Sequence, residues 1–178
     1  IMELIVPAVE HFGELRKLNS QMNFYDLLLQ AATLLRENPE VRKYFQERFT
    51  HILVDEFQDT DPIQAEVVLY LTGEDLKARA WQKTKVKPGS LFIVGDPKQS
   101  IYRFRRADID TYNEVKRVIK NSGGLVIPLT TNFRSAPSLC DWINPIFKEK
   151  LPAKGTPQQA PFEPLVPFHQ TKGGGVRR

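Results

Sequence analysis

Two adjacent carboxylates, Asp55 and Glu56, close a short apolar run, His51-Ile52-Leu53-Val54. An apolar run that short reads as a buried strand of a parallel sheet. In open α/β sheets, ligands sit beyond the carboxyl ends of the strands, which is where these two acids fall. One carboxylate can hold Mg²⁺ through a hard oxygen contact. Its neighbour can orient or deprotonate a water that attacks a phosphate. The plainer alternative makes Asp59 or Asp61 a helix cap and the two acids surface groups.

Two further strand ends weigh against that alternative. Leu91-Phe92-Ile93-Val94-Gly95-Asp96 again runs from apolar residues into an acid, and continues as Pro97-Lys98-Gln99-Ser100-Ile101-Tyr102-Arg103-Phe104-Arg105-Arg106-Ala107-Asp108. Rings interleaved with cations suit a single-stranded nucleic acid, because rings stack on bases and cations meet phosphates. The competing reading puts Tyr102 and Phe104 in a core with the arginines solvated. Four Lys/Arg within nine residues, from Lys98 to Arg106, favour binding. The third run, Leu125-Val126-Ile127-Pro128-Leu129, reads as another strand and precedes Thr130-Thr131-Asn132-Phe133-Arg134-Ser135. Arg134 at its end can offer a planar fork of donors to a phosphate, and Phe133 can stack on a base. Ser135 is expected to cap the next helix, with Pro137 in its first turn.

Asp55-Glu56-Phe57-Gln58-Asp59-Thr60 resembles the Walker B segment (motif II) of the UvrD/Rep family of superfamily 1 DNA helicases. Gly95 to Arg105 resembles their motif III, and Asn132-Phe133-Arg134-Ser135 their motif IV, in the family's order. Asn23-Phe24-Tyr25-Asp26-Leu27-Leu28 is similar to the helix that precedes motif II. The resemblance covers roughly residues 22–150. Lys98 stands where Rep-type members usually carry Asp, and Phe104 where they carry Trp. Both features look more like the RecB/AddA (exonuclease V beta-like) branch, helicase subunits of recombination-repair complexes, many with a nuclease domain. Arg106 replaces a usual Gly.

The resemblance implies a role for each matching residue. Asp55 binds Mg²⁺ and Glu56 acts as general base or orients the water. Gln99 senses the γ-phosphate and links it to the DNA site. Tyr102 and Phe104 meet bases, with Arg105 near the strand's backbone. Arg134 stabilises charge on the transferred phosphoryl group, and Phe133 lies near the adenine. The cofactors implied are ATP and Mg²⁺. The implied partners are single-stranded or duplex DNA, the remaining helicase domains of a parent chain, and repair-complex subunits.

No Gly-x-x-x-x-Gly-Lys-Ser/Thr occurs in the sequence, and its glycine run, Gly173-Gly174-Gly175, leads into Val176. A nucleoside triphosphate depends on such a loop for its main anchor. The expected fold is therefore a partial RecA-like (P-loop NTPase) motor domain of the α/β class. Its parallel sheet is flanked by helices and lacks the Walker A part. With Ile1 at its start, the chain reads as a piece of a larger helicase that does not turn over ATP alone.

The elements that must position these residues follow from periodicity and breakers. Residues 1–22 read as the end of an upstream helical segment. Residues 23–151 read as the C-terminal part of a first motor domain, and residues 152–178 as a Pro/Gly-rich linker, extended or disordered. Phe24, Leu27, Leu28, Ala31, Leu34 and Leu35 recur at helical spacing and are expected in a core. Val41, Tyr44, Phe45 and Phe49 suggest a second helix. Asp61-Pro62 and Asp108 look like helix starts. Residues 72–89 are polar and read as a loop or short mobile helix. Pro145 should kink or break the last helix.

The chain has 178 residues, 41% of them hydrophobic, with a net charge of +4. That size allows one core and the beginning of another, and the mild positive balance suits a polyanion. A single cysteine, Cys140, excludes an internal disulfide, and the three His are scattered. There is neither an apolar run of about 18 residues nor a signal pattern, so the expected compartment is cytoplasmic. A non-enzymatic nucleic-acid-binding module would have no use for Asp55, Glu56 and Arg134. A P-loop kinase would have none for Tyr102 and Phe104.

Overall fold

The computed structural model describes residues 2–19, 21–101, 108–156 and 159–170. Two short strands, β1 (Ile52–Val54) and β2 (Leu91–Ile93), pair in parallel with Ile52 opposite Leu91 and Val54 opposite Ile93. Parallel neighbours require a crossover, and here it contains helix α4 (Pro62–Thr72). Helices α2 (Phe24–Glu37) and α3 (Pro39–Arg48) pack on α4 and on each other, and α5 (Ile109–Asn121) packs against α4. Helix α1 (Met2–Leu18) joins through Arg16 Nη1, 2.6 Å from Asp26 Oδ2.

Local sequence explains the helix starts. Asn23 and Asp26 form a reciprocal capping box on α2, and Asp61 and Gln64 form another on α4, with Pro62 in the first turn. Each box satisfies two N–H groups that the first helical turn leaves without partners. Asp108 Oδ1 and Oδ2 accept from the amides of Asp110 and Thr111 to open α5. The core gathers Leu35, Phe57, Ala65, Leu69, Tyr70, Trp81, Val86, Val115 and Val118. It lies between α2, α4, α5 and the inner face of the strand pair. The outer face is open: Leu53 is 74% and Phe92 61% exposed. The two strands thus alternate in burial, where their apolar runs lead one to expect cover on both faces.

Several expectations need correction. Residues 125–129 are not a strand: the first sheet contains β1 and β2 alone, and this segment docks on neither. Leu125, Ile127 and Leu129 are exposed. Strand pairing begins only with β3 (Thr131–Asn132), which pairs in parallel with β4 (Val166–Pro167). Residues 159–170 are therefore not a loose tail. Leu165 N–H donates to Asn144 Oδ1 at 2.9 Å, and Asn144 Nδ2 returns a bond to Leu165 O at 3.0 Å. Asn144 lies on α6 (Pro137–Lys150), which continues through Pro145 without a break. On α2 the buried residues are Ala32 and Leu35, while Phe24, Leu27 and Leu34 are exposed, so the core-facing stripe is rotated from the one expected.

The polar stretch 72–89 is held firmly. Trp81 is buried in the core, and Glu74 N–H donates to Lys85 O at 2.7 Å. Gln46 Nε2 reaches Tyr70 O at 2.7 Å and Gly73 O at 2.9 Å, while its Oε1 accepts from Lys87 Nζ at 2.5 Å. Arg42, with no exposed surface, donates to four main-chain carbonyls: Leu35 (2.7 Å), Asp75 (3.0 Å), Arg36 (3.2 Å) and Ala78 (2.9 Å). Its guanidinium lies 4.2 Å over the Tyr70 ring. Burial lowers the Arg42 pKa from its usual value, opposed by the nearby Tyr70 and Asp75.

Candidate active site

The first carboxylate pair sits where β1 ends. Val94 N–H donates to Val54 O (2.8 Å) and Phe57 N–H to Val94 O (3.0 Å), so the chain leaving β1 stays stitched to the chain leaving β2. Phe57 plunges into the core, which leaves Asp55 and Glu56 exposed at the rim. Glu56 N–H donates to Asp55 Oδ1 at 2.9 Å. Glu56 itself has φ 51 and ψ 39, left-handed values that make it the one non-glycine residue with positive φ among those described. Such conformations cost about 1–3 kcal/mol each and cluster at functional sites.

The second strand end delivers Asp96 and Gln99 to the same place. Asp96 caps the short turn Pro97–Gln99, accepting from Lys98 N–H at 3.0 Å. Gln99 Nε2 lies 3.2 Å from Asp96 Oδ2. Gln58 joins the two loops: its Nε2 donates to Glu56 Oε2 at 2.5 Å and its Oε1 accepts from Asp96 N–H at 2.9 Å. Tyr112 on α5 donates to Gly95 O at 3.2 Å. Its phenol pKa is raised by burial first, then by the charges of Asp96 and Glu163.

Phe133 and Arg134 sit apart from this cluster. Arg134 N–H and Ser135 N–H both donate to Asn132 Oδ1, at 2.9 and 2.8 Å, so Asn132 organises the turn. Ser135 is not the helix cap; Ala136 takes that position, with Pro137 next and no side-chain cap. The Phe133 ring meets Phe168 at 4.7 Å, and His169 Nε2 lies 2.8 Å from Phe133 O. Among the described residues, no hydrogen bond, ion pair or ring contact joins Phe133 or Arg134 to Asp55, Glu56 or Gln99. The two regions meet through Lys98, whose Nζ lies 3.3 Å from Asp96 Oδ1 and 3.8 Å from Glu163 Oε2. Tyr102, Phe104, Arg105 and Arg106 lie outside the described residues.

The donor set fits a hard cation held in part by a ligand. Among the described residues, one carboxylate oxygen of Asp55 has no hydrogen-bond partner, at an exposed rim beside a second carboxylate. No cluster of three or more His, Cys, Asp or Glu capable of holding a metal occurs among the described residues. Mg²⁺ is usually bound by one or two carboxylates, with water and substrate phosphates filling the rest, so the arrangement suits magnesium arriving with a nucleotide.

Residues 3–120 match the family described as the UvrD/REP helicase N-terminal domain. The chain belongs to the UvrD/REP helicase family. The matched span runs from α1 through α5 and includes both carboxylate-bearing strand ends. Among curated proteins, this UvrD/REP chain is 37% identical over 156 residues to an ATP-dependent helicase/nuclease subunit of Exiguobacterium sibiricum. That alignment covers 83% of the chain and 12% of the relative. It is likewise 37% identical over 144 residues to the RecBCD enzyme subunit RecB of Chlamydia muridarum, covering 79% of the chain and 12% of RecB. An ATP-dependent helicase/nuclease subunit of Streptococcus sanguinis is 32% identical over 150 residues, covering 83% of the chain and 11% of that relative. The chain thus spans about 12% of the length of these curated relatives. Among the described residues, no helix is long and apolar enough to cross a membrane.

Sequence reasoning missed Gln58, Gln46 and Arg42. Gln58 stands inside the motif that carries the resemblance, but its partner Asp96 is 38 residues away. Gln46 and Arg42 lie on a helix whose aromatic residues carry its sequence signal, yet they are the ones it buries.

Proposed function

We propose that this chain is part of the first motor domain of an ATP-dependent DNA helicase. Its parent is read as a RecB/AddA-like helicase–nuclease that works in recombinational repair. Within a RecA-like domain it supplies the Walker B strand and the strand that follows, while the phosphate loop lies elsewhere in the parent. The observation that carries this reading is the convergence of Asp55, Glu56, Asp96 and Gln99 at the carboxyl ends of two adjacent parallel strands, in a segment matched to the UvrD/REP family.

Asp55 would hold the magnesium ion that accompanies ATP through the carboxylate oxygen not bonded to Glu56 N–H. When bound, that ion neutralises charge on the phosphate oxygens. Glu56, exposed beside it, accepts a proton from the attacking water or orients it. Gln99 reads the γ-phosphate from the neighbouring turn. Arg134 meets the developing charge on the phosphoryl group, and Phe133 packs near the adenine, when the domains of the parent close. Tyr102 and Phe104 stack on bases of single-stranded DNA, with Arg105 on its backbone. By itself the chain lacks the phosphate anchor and is proposed not to hydrolyse ATP.

The test is Glu56→Gln in the full-length parent. General acid–base groups contribute about 10²- to 10⁴-fold, so DNA-stimulated ATP hydrolysis should fall by that order while ATP binding persists. Hydrolysis unchanged by the substitution would sink the role of Glu56, and a wild-type parent that binds single-stranded DNA but hydrolyses no ATP would leave a non-hydrolysing nucleic-acid-binding relative as the replacement.

A further inference from the structure

Gln58 is 3% exposed, although it sits two residues from a solvent-facing carboxylate. Its amide can face only one way. The Asp96 main-chain N–H is a donor and requires the carbonyl oxygen, at 2.9 Å. The Glu56 carboxylate is an acceptor and takes the amide N–H, at 2.5 Å. An ionised carboxylate accepts only, so neither end can be exchanged. The main chain of Gln58 is pinned as well, its carbonyl accepting from Ser100 Oγ at 3.1 Å. Gly95 completes the fit from the other side. A Cβ there would lie 3.0 Å from Gln58 Oε1, 3.2 Å from Phe57 N and 3.3 Å from Gln58 N, so a side chain at this position would press Gln58 and its neighbours aside by a few tenths of an ångström.

Among the described residues, Gln58 is the one hydrogen-bond partner of the Glu56 carboxylate. We infer that Gln58 is a positioning residue. It fixes the Glu56 carboxylate and ties it to the turn at residues 95–100, so displacement of that turn is passed to the carboxylate through one amide. The inference rests on the proposed role of Glu56 in hydrolysis. The turn also carries Gln99 and leads directly into the basic-aromatic segment 101–108. A shift there on DNA binding has a short, rigid route to the water-activating group. A purely structural amide would hold the loops together without affecting catalysis selectively.

The experiment compares three variants of the full-length parent by steady-state ATP hydrolysis with and without single-stranded DNA. Nucleotide affinity and thermal unfolding are measured in parallel. The Gln58→Glu substitution is nearly isosteric; it keeps an acceptor for Asp96 N–H and loses the donor to Glu56. Misplacing a reacting group by about 1 Å can cost on the order of 10²-fold, so kcat should fall roughly tenfold to hundredfold. KM for ATP should stay within about threefold, since binding groups are untouched. Gly95→Ala leaves Gln58 in place but pushes on the same contact, and should lower kcat severalfold. Combined, the two should be less than additive, as expected of residues sharing one contact. The inference is overturned if Gln58→Glu folds and keeps wild-type kcat, or loses nucleotide affinity as fully as kcat. If Gln58→Glu does not fold, Gly95→Ala decides: reduced kcat at unchanged KM supports the coupling, and wild-type kcat overturns it. Glu56→Gln separates the two levels. Should it hydrolyse ATP normally, the function itself is wrong; should it be inactive beside a normal Gln58→Glu, only the coupling is.

Discussion

The left-handed backbone at Glu56 makes a prediction whose sign, not just its size, can be checked. Replacing Glu56 by Gly or by Ala removes the carboxylate and its bond to Gln58 alike. The difference between these two variants therefore isolates the backbone. At φ 51 and ψ 39, a Cβ crowds the following carbonyl at a cost of about 1–2 kcal/mol, which glycine avoids. Against this, glycine loses roughly 0.5–1 kcal/mol more entropy on folding than alanine. The balance leaves Glu56→Gly more stable than Glu56→Ala by about 0.5–1 kcal/mol. At an ordinary helical or extended position the order would be reversed by a similar amount. For a chain of this length the gap corresponds to roughly 1–4 °C in Tm. Urea unfolding of the two variants, with matched m-values to exclude changes in compactness, reads the difference directly. Equal midpoints, or a more stable Ala variant, would refute the claim that Glu56 is held in a strained conformation. Both variants should fail in ATP hydrolysis in the full-length parent, whichever is more stable. A site that holds its proposed base under strain gives up stability for geometry.

Two further outcomes are expected. Arg42→Met removes the buried donor to four main-chain carbonyls and should cost about 3–5 kcal/mol, the order seen when a buried polar network loses one member; a loss under about 1 kcal/mol in urea unfolding would contradict the clasp. Burial raises the Tyr112 pKa in the fold, so the neutral phenol stabilises the native state fully below the unfolded value near 10. That stability is lost as pH climbs from there through the folded value. Tyr112→Phe should therefore flatten the alkaline fall of Tm above about pH 10, and an unchanged slope in calorimetry would rule this out.

How far the sequence is legible depends on whether a residue's partner is close in the chain. Caps at Asp61 and Asp108 are readable because donor and acceptor lie within three residues. Strands β1 and β2 are readable from apolar runs ending in acids, and their parallel pairing follows from the helical crossover. The strand expected at 125–129 fails for a different reason. β-propensity records that a segment suits a strand, not that tertiary packing brings it onto an edge. Residues 159–170 escape sequence reading because their order comes from Asn144 and from pairing of β4 with β3, neither of which leaves a local period. Arg42, Gln46 and Gln58 are invisible as core residues because polarity argues for the surface. Each bonds to main-chain groups distant in the chain, and such groups carry no sequence signal. For the candidate site, the carboxylates are legible from their position, while the amide between them is not. Phe133 and Arg134 are legible as a turn organised by Asn132, and among the described residues they contact neither carboxylate.

The Arg42 clasp also bears on how such sequences can drift. All four of its acceptors are peptide oxygens, which every amino acid supplies. Residues 36, 75 and 78 can therefore exchange side chains without disturbing it, so long as their backbones keep their course, whereas Leu35 is also held by the core. The arginine has no such freedom. Lysine offers three donors from a single point, and cannot span carbonyls contributed by two separate segments of chain. A library randomised at Arg36, Asp75 and Ala78 should therefore return many folded sequences, and one randomised at position 42 very few. Variation is channelled to the rim of the clasp and withheld from its centre.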